Sequence, residues 1–308
     1  MTNIISFPKI GITVTLSPVA FSIGAKDIYW YALIILFGFL MGILLVAFDS
    51  EKRGLSRDNV LDIALYGIVV GIICARIYYV LFSLDEFADD FLGVFRIWEG
   101  GLAIYGGIIG AVLSTLTYCK FKKLNVLNTL DVCCVGMLLG QAIGRWGNFV
   151  NCEVFGGVTE SLLGMSINGA LPVHPLFLYE SLWNFAGVIL LCIIRNRKTK
   201  NGQIFCCYIL WYSVGRLALE GMRNPKYILY VIPNVLGISQ LVAGILIVAS
   251  IIALVYITKS DKECLKVKYL LHIPLNNKPH PHAYVDTLRG EVCLYIILLR
   301  LTSCLLRL

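Results

Sequence analysis

A chain of 308 residues that is 58% hydrophobic and only 15% charged, with a mean hydropathy of +0.80, is not a soluble domain, because soluble chains carry about 25% charged residues. The formal charge of +7 does not mark a nucleic-acid partner, since no basic stripe carries aromatic interleaving and the basic residues gather in short loops. Eleven cysteines, an odd number without a C-x-x-C pair, read as small apolar core residues rather than as zinc or redox sites.

Residues 1–26 are short and mixed, without the basic start and cleavage site of a signal peptide, and are expected to be retained. Apolar runs of about 20 residues, the length that crosses about 30 Å of hydrocarbon, follow at 28–47, 60–82, 102–119, 129–147, 175–194, 203–221 and 236–258. They predict an all-α membrane protein, a polytopic bundle of seven transmembrane helices with a small extracytoplasmic loop region. Residues 1–258 would form this domain, and 259–308 a tail whose apolar end, 292–308, is set along the membrane surface. Loops after odd-numbered runs carry Lys52, Arg53 and Arg57, then Lys120, Lys122 and Lys123, then Arg195, Arg197, Lys198 and Lys200, then Lys259 and Lys262. Loops after even-numbered runs hold Asp85, Glu86, Asp89, Asp90 and Glu99 against Arg96, then Glu153 and Glu160, then Arg223 and Lys226. The positive-inside rule therefore puts the amino terminus outside and the end of the seventh span in the cytoplasm.

With this orientation the unusual polar residues fall into one outer layer. Span one starts with Tyr29, Trp30 and Tyr31, of which Tyr29 and Trp30 read as interface anchors. Span two carries Arg76 in A-R-I-Y-Y-V, which either snorkels outward or lines a pocket. Span three opens with W-E-G-G-L-A-I-Y-G-G and places Tyr105 just inside, and span four brings Arg145 and Asn148 outward. Span five enters with His174, Tyr179 and Glu180, and span six ends with Tyr212, Arg216, Glu220 and Arg223. Charges in lipid are costly and mark functional sites, so their convergence reads as a polar chamber open to the outer leaflet. Tyr212, Arg216 and Glu220 are four residues apart and share a helix face. Gly106 with Gly110 and Gly140 with Gly144 suggest close packing of spans three and four. The Gly-rich segment 151–173 is expected to be an outer loop with some strand character. In the tail, His272, His280 and His282 offer no fixed metal geometry.

The most specific stretch is G-R-W-G-N-F-V-N-C-E-V-F-G, Gly144 to Gly156. Its Gly144, Arg145, Gly147, Asn148, Phe149, Asn151, Glu153 and Gly156 resemble the signature of the prolipoprotein diacylglyceryl transferases. The resemblance runs over 28–258 through A-R-I-Y-Y-V, W-E-G-G and Y-G-G, H-P-x-x-L-Y-E, Y-x-x-x-R-x-x-x-E-x-x-R and G-I-S-Q. It implies a bacterial cytoplasmic-membrane enzyme without cofactor or metal. Its partners would be phosphatidylglycerol and prolipoprotein signal peptides with a lipobox cysteine, and glycerol phosphate would leave as the thioether forms. It implies Arg145, Arg216, Tyr105, Glu153 and Glu220 as catalytic residues, and Arg145, Asn148, Asn151, Tyr31, Arg76, Tyr212 and Gly156 as lining for the substrates. Many family members carry a histidine, proposed as base, where this chain has Tyr105, so the thiol base stays open among Glu153, Glu220 and Tyr105. The rival readings are a transporter of a small anionic solute, which would usually show internal repeats, and an intramembrane protease, for which Asp131 is the lone embedded aspartate.

Overall fold

The computed structural model describes residues 2–24, 26–87, 90–97, 100–197, 199–228, 230–232 and 236–270. Trp98 and Glu99 of the W-E-G-G motif, Asp89, Lys198, and the tail from 271, with His272, His280, His282 and the apolar end, lie outside the described residues. Helices occupy all seven expected runs: α1 (Trp30–Ser50), α2 (Arg57–Phe82), α3 (Ile104–Phe121), α4 (Val126–Val150), α5 (Leu176–Arg195), α6 (Gln203–Glu220) and α7 (Ile238–Leu270). Six of them are long and apolar enough to cross a membrane. The other, α6, matches α3 at 18 residues but gives part of its length to Gln203, Ser213, Arg216 and Glu220. The protein is a polytopic, predominantly helical membrane protein. Its described residues fall into two compact units, 2–46 with 131–270, and 47–130.

In the first unit the residues before α1 form strands, where the sequence reading assigned no element. Strands β1 (Asn3–Phe7) and β2 (Ile12–Leu16) pair antiparallel from Asn3 opposite Leu16 to Phe7 opposite Ile12, with Gly11 turning the chain at φ +77°. The I-T-V-T-L alternation of β2 is a strand period, concealed by its brevity. Val19–Ile23 (β3) and Lys26–Tyr29 (β4) make a second hairpin. The 151–173 segment does have strand character: Ser166–Ile167 (β5) pairs with β1, giving the order β2-β1-β5. Ile5, fully buried, anchors this sheet on Met165, Val173 and Phe177, with Phe149 and Phe155 packed alongside. The short strands Tyr230–Ile232 (β6) and Leu236–Gly237 (β7) lead into α7.

Glycine sets the helix contacts, with partners other than those expected. A Cβ at Gly42 would stand 2.6 Å from the Gly136 carbonyl oxygen, and Gly140 faces Gly38, so α4 lies backbone to backbone on α1. In the second unit, a Cβ at Gly110 would stand 2.7 Å from the Val70 carbonyl oxygen, and Gly106 meets Cys74, so both fit against α2 rather than against span four. Small-residue spacing specifies a smooth face, not which helix will cover it.

Helices α5 and α6 exchange tryptophans. The Trp183 and Trp211 rings stack at 4.3 Å between centroids. Each indole N–H donates to the other residue's carbonyl at 3.0 Å. Each ring covers a glycine one turn beyond its partner, Trp183 over Gly215 and Trp211 over Gly187. Cys134, Val135, Leu138, Leu191, Ile204 and Tyr208 form a buried core of α4, α5 and α6. Asp131, weighed as a protease residue, instead caps α6: its carboxylate accepts from the Gly202 and Phe205 N–H groups at 2.6 and 2.7 Å. An anion there satisfies two orphan donors and the helix dipole.

Gly215→Ala should therefore displace the Trp183 ring and lower stability by about 1–3 kcal/mol, the usual cost of overpacking. Thermal unfolding in detergent, followed by tryptophan fluorescence, measures it; an unchanged midpoint and spectrum would show that the stacked pair contributes nothing.

Candidate active site

The last turns of α4 point Arg145 and Asn148 toward the strand-bearing end of the first unit, and the chain then turns sharply. Three backbone bonds hold the turn, Asn151 N–H to Gly147 O at 3.1 Å, Cys152 N–H to Phe149 O at 3.1 Å and Glu153 N–H to Asn148 O at 3.0 Å. Cys152 and Val154 take left-handed φ values of 52° and 56°, unusual for non-glycine residues and most of all for β-branched valine. The turn brings Glu153 back over the helix end, where its Oε1 accepts from Asn148 Nδ2 at 2.9 Å. Asn148 Oδ1 in turn meets Arg145 Nη1 at 3.4 Å.

Glu180, from the second turn of α5, is the hub. Its Oε2 lies 2.6 Å from Arg145 Nε, and its Oε1 lies 3.5 Å from Arg216 Nη1 and 3.2 Å from Arg223 Nη2. Glu220 closes the ring on α6, with its Oε2 3.1 Å from Arg216 Nη2 and 3.3 Å from Arg223 Nε. Neither contact has hydrogen-bond alignment, and both are held by charge alone. Four of these five side chains come from three helices and the fifth, Arg223, from just beyond α6, so the sequence separates partners that the fold makes adjacent. Glu180 and Glu220 are 7% and 2% exposed, a depth at which a carboxylate is tolerated only when paired. Burial first, then the charge of Arg216, lowers the pKa of Arg223, while Glu220 and Glu180 work against both. The five groups carry one positive charge in excess, and Glu153 stands one asparagine away. A cavity beside them is lined by Glu180, Trp183, Asn184, Tyr212, Gly215 and Arg216, with Leu219.

Of the residues expected at the site, Arg145, Asn148, Glu153, Arg216 and Glu220 meet in this network, and Tyr212 lines its cavity. Tyr31 lies with its ring on Gly147, where a Cβ would come within 2.7 Å of it. Asn151 is half-buried at the turn. Gly156 is pressed between protein groups, because a Cβ there would stand 2.6 Å from His174 Cβ and 2.7 Å from Met222 O; its N–H bonds His174 O at 2.9 Å. Arg76 and Tyr105 belong to the second unit. Arg76 is buried and donates to the carbonyls of Val94, Gly100, Gly101 and Gly93 at 2.7–3.0 Å. It neither snorkels nor keeps its fork open: it ties down the segment leading to α3. Tyr105 is 63% exposed beside Tyr78. The sequence reading did not place Glu180 and Arg223 among the site residues. Their signals were the last letter of H-P-x-x-L-Y-E and the last of R-x-x-x-E-x-x-R, but ion pairing between helices leaves no spacing to count.

Glu180→Ala should be the most destabilising single change at the site, since it leaves three guanidinium groups together with one carboxylate; breaking a buried pair costs about 3–5 kcal/mol. The midpoint of thermal unfolding for purified Glu180→Ala and Glu180→Gln checks this, and a wild-type midpoint for both would remove Glu180 as the hub.

Residues 18–256 match the family model described as prolipoprotein diacylglyceryl transferase. A phosphatidylglycerol–prolipoprotein diacylglyceryl transferase of Clostridioides difficile is 41% identical over 244 residues, 79% of this chain and 96% of that protein. One of Bacillus velezensis is 40% identical over 253 residues, 78% of this chain and 92% of that protein. One of Halalkalibacterium halodurans is 42% identical over 249 residues, 77% of this chain and 85% of that protein. The chain belongs to the prolipoprotein diacylglyceryl transferase family.

Proposed function

We propose that the protein transfers the diacylglyceryl group of phosphatidylglycerol to the thiol of a lipobox cysteine in prolipoprotein signal peptides, releasing glycerol phosphate. The observation that carries this reading is the buried arginine cluster around Glu180, with its single surplus positive charge. A phosphodiester monoanion is the complement of that charge, and guanidinium meets phosphate oxygens in a planar fork while staying ionised in low dielectric. Glu180 takes the Nε side of Arg145 and so fixes the plane of its guanidinium. Among the described residues Arg145 Nη2 donates no hydrogen bond, which leaves it for a phosphate oxygen. Arg216 stands beside it to meet the charge that develops as the carbon–oxygen bond breaks. Asn148, Asn151, Tyr31 and Tyr212 line the path of the two substrates. Gly156 and Arg76 act one step back, by holding the chain at the site and ahead of α3.

Positive charge in the loops after α1, α3 and α5 supports an amino terminus outside a bacterial cytoplasmic membrane and an α7 that ends in the cytoplasm. In a background free of native cysteine, Lys122→Cys should react with a membrane-impermeant maleimide only after the cells are opened. Labelling of intact cells would reverse the topology.

Transfer of labelled diacylglycerol from phosphatidylglycerol to a lipobox peptide tests the reaction itself. Arg145→Ala should slow transfer by roughly ten- to a hundred-fold for each charge-assisted hydrogen bond lost, from about 1.5–3 kcal/mol apiece. Arg145→Lys should be nearly as slow, since an ammonium keeps the charge and loses the fork. Normal transfer by an inserted, folded Arg145→Ala protein would remove the phosphate clamp.

A further inference from the structure

The transfer reaction needs a group that takes the thiol proton, because the thiolate and not the thiol is the nucleophile. We infer that Glu153 is this base, an inference that rests on the transferase reading above. The three carboxylates of the site are not equivalent. Glu220 is 2% exposed with its Oε2 between Arg216 and Arg223 at 3.1 and 3.3 Å, and Glu180 is shared by three arginines. Arginines occupy both, so a proton on either would leave a buried guanidinium without its partner. A neutral phenol oxygen already carries its proton and is a poor base, which sets Tyr105 aside. Glu153 is different: it is half-buried, and among the described residues no arginine forms an ion pair with it. Its Oε1 takes the Asn148 amide at 2.9 Å, and among the described residues its Oε2 accepts no hydrogen bond.

The backbone gives an independent reason. Residues on both sides of Glu153 hold left-handed conformations, Cys152 at φ 52° and Val154 at φ 56°. Non-glycine residues there persist only when the surroundings enforce them, and they cluster at functional sites. What this turn achieves is to set one carboxylate beside the asparagine that touches Arg145, next to the proposed phosphate position, while keeping it clear of the arginine pairs.

The chemistry then balances. The S–H proton moves to Glu153, the sulfur–carbon bond forms at the glycerol carbon, and that carbon's bond to the phosphate oxygen breaks with its electron pair staying on oxygen. The phosphodiester monoanion leaves as a phosphate monoester dianion, and the proton on Glu153 passes to it or to water. Protonating Glu153 also withdraws a negative charge from the cluster at the moment the phosphate gains one.

The test compares purified wild-type, Glu153→Gln and His174→Gln proteins with phosphatidylglycerol vesicles and two lipobox peptides, identical except for cysteine or selenocysteine at the acceptor. A selenol is ionised at neutral pH and needs no base. Glu153→Gln should slow kcat on the cysteine peptide by about 10²–10⁴-fold, the usual worth of a general base, with KM for phosphatidylglycerol unchanged. On the selenocysteine peptide the deficit should largely disappear. An equal deficit on both peptides would make Glu153 a structural residue, and full activity on cysteine would remove it altogether. Rescue by selenocysteine in His174→Gln alone would move the role to His174, whose ring sits 3.5 Å from the Tyr179 hydroxyl. No transfer by the wild-type protein would overturn the transferase reading itself, a result separate from all of these.

Discussion

The structure of the first unit depends on one carboxylate that cannot be left alone. Glu180, 7% exposed, draws Arg145 from α4, Arg216 from α6 and Arg223 from beyond α6 into contact. In low dielectric an ionised carboxylate without partners costs far more than a helix contact supplies. The pairing therefore constrains the depth and rotation of α4, α5 and α6 together. The apolar core of Cys134, Val135, Leu138, Leu191, Ile204 and Tyr208 lies along the same three helices. It supplies bulk cohesion, and the charges supply register. Three cations on two anions leave the cluster incomplete by one negative charge, the condition that an anionic ligand relieves.

Several local features serve that arrangement. The exchanged Trp183 and Trp211 let α5 and α6 approach as closely as Gly187 and Gly215 allow, which brings Glu180 within reach of Arg216 and Arg223. Asp131 fixes the start of α6 by taking the Gly202 and Phe205 N–H groups. At the other end, the sheet built on Ile5 braces the 151–173 segment through β5. That segment carries the strained turn at Cys152 and Val154. A turn with two left-handed non-glycine residues needs such bracing, because nothing in its own sequence favours the conformation.

In the second unit one arginine acts through backbone rather than through charge pairing. Arg76 gives its donors to the carbonyls of Gly93, Val94, Gly100 and Gly101. Gly100 and Gly101 adopt φ values of 97° and 68°, and a side chain at Gly101 would collide with the Arg76 guanidinium and the Tyr79 ring. The double glycine of W-E-G-G is thus explained by the arginine that it wraps. Tyr105 stands one turn farther along the chain, in the first turn of α3.

The sequence by itself determined the helices, because the length of an apolar run and the cost of burying charge are local properties that composition displays. It also displayed which residue types stand near the ends of the spans, including Arg145, Arg216 and Glu220, and its motifs carried the family resemblance. Only the tertiary structure decided who pairs with whom. Glu180 became the hub, Arg223 joined it, Gly106 and Gly110 went to α2, and residues 3–16 became strands that pair with 166–167. These outcomes depend on the rotation and depth of each helix and on contacts across tens of residues, and in the β1–β5 pairing across more than 150, where neither periodicity nor spacing holds information. Arg76 illustrates the limit: an arginine near a helix end reads the same whether its fork faces a lipid phosphate or four carbonyls of its own chain.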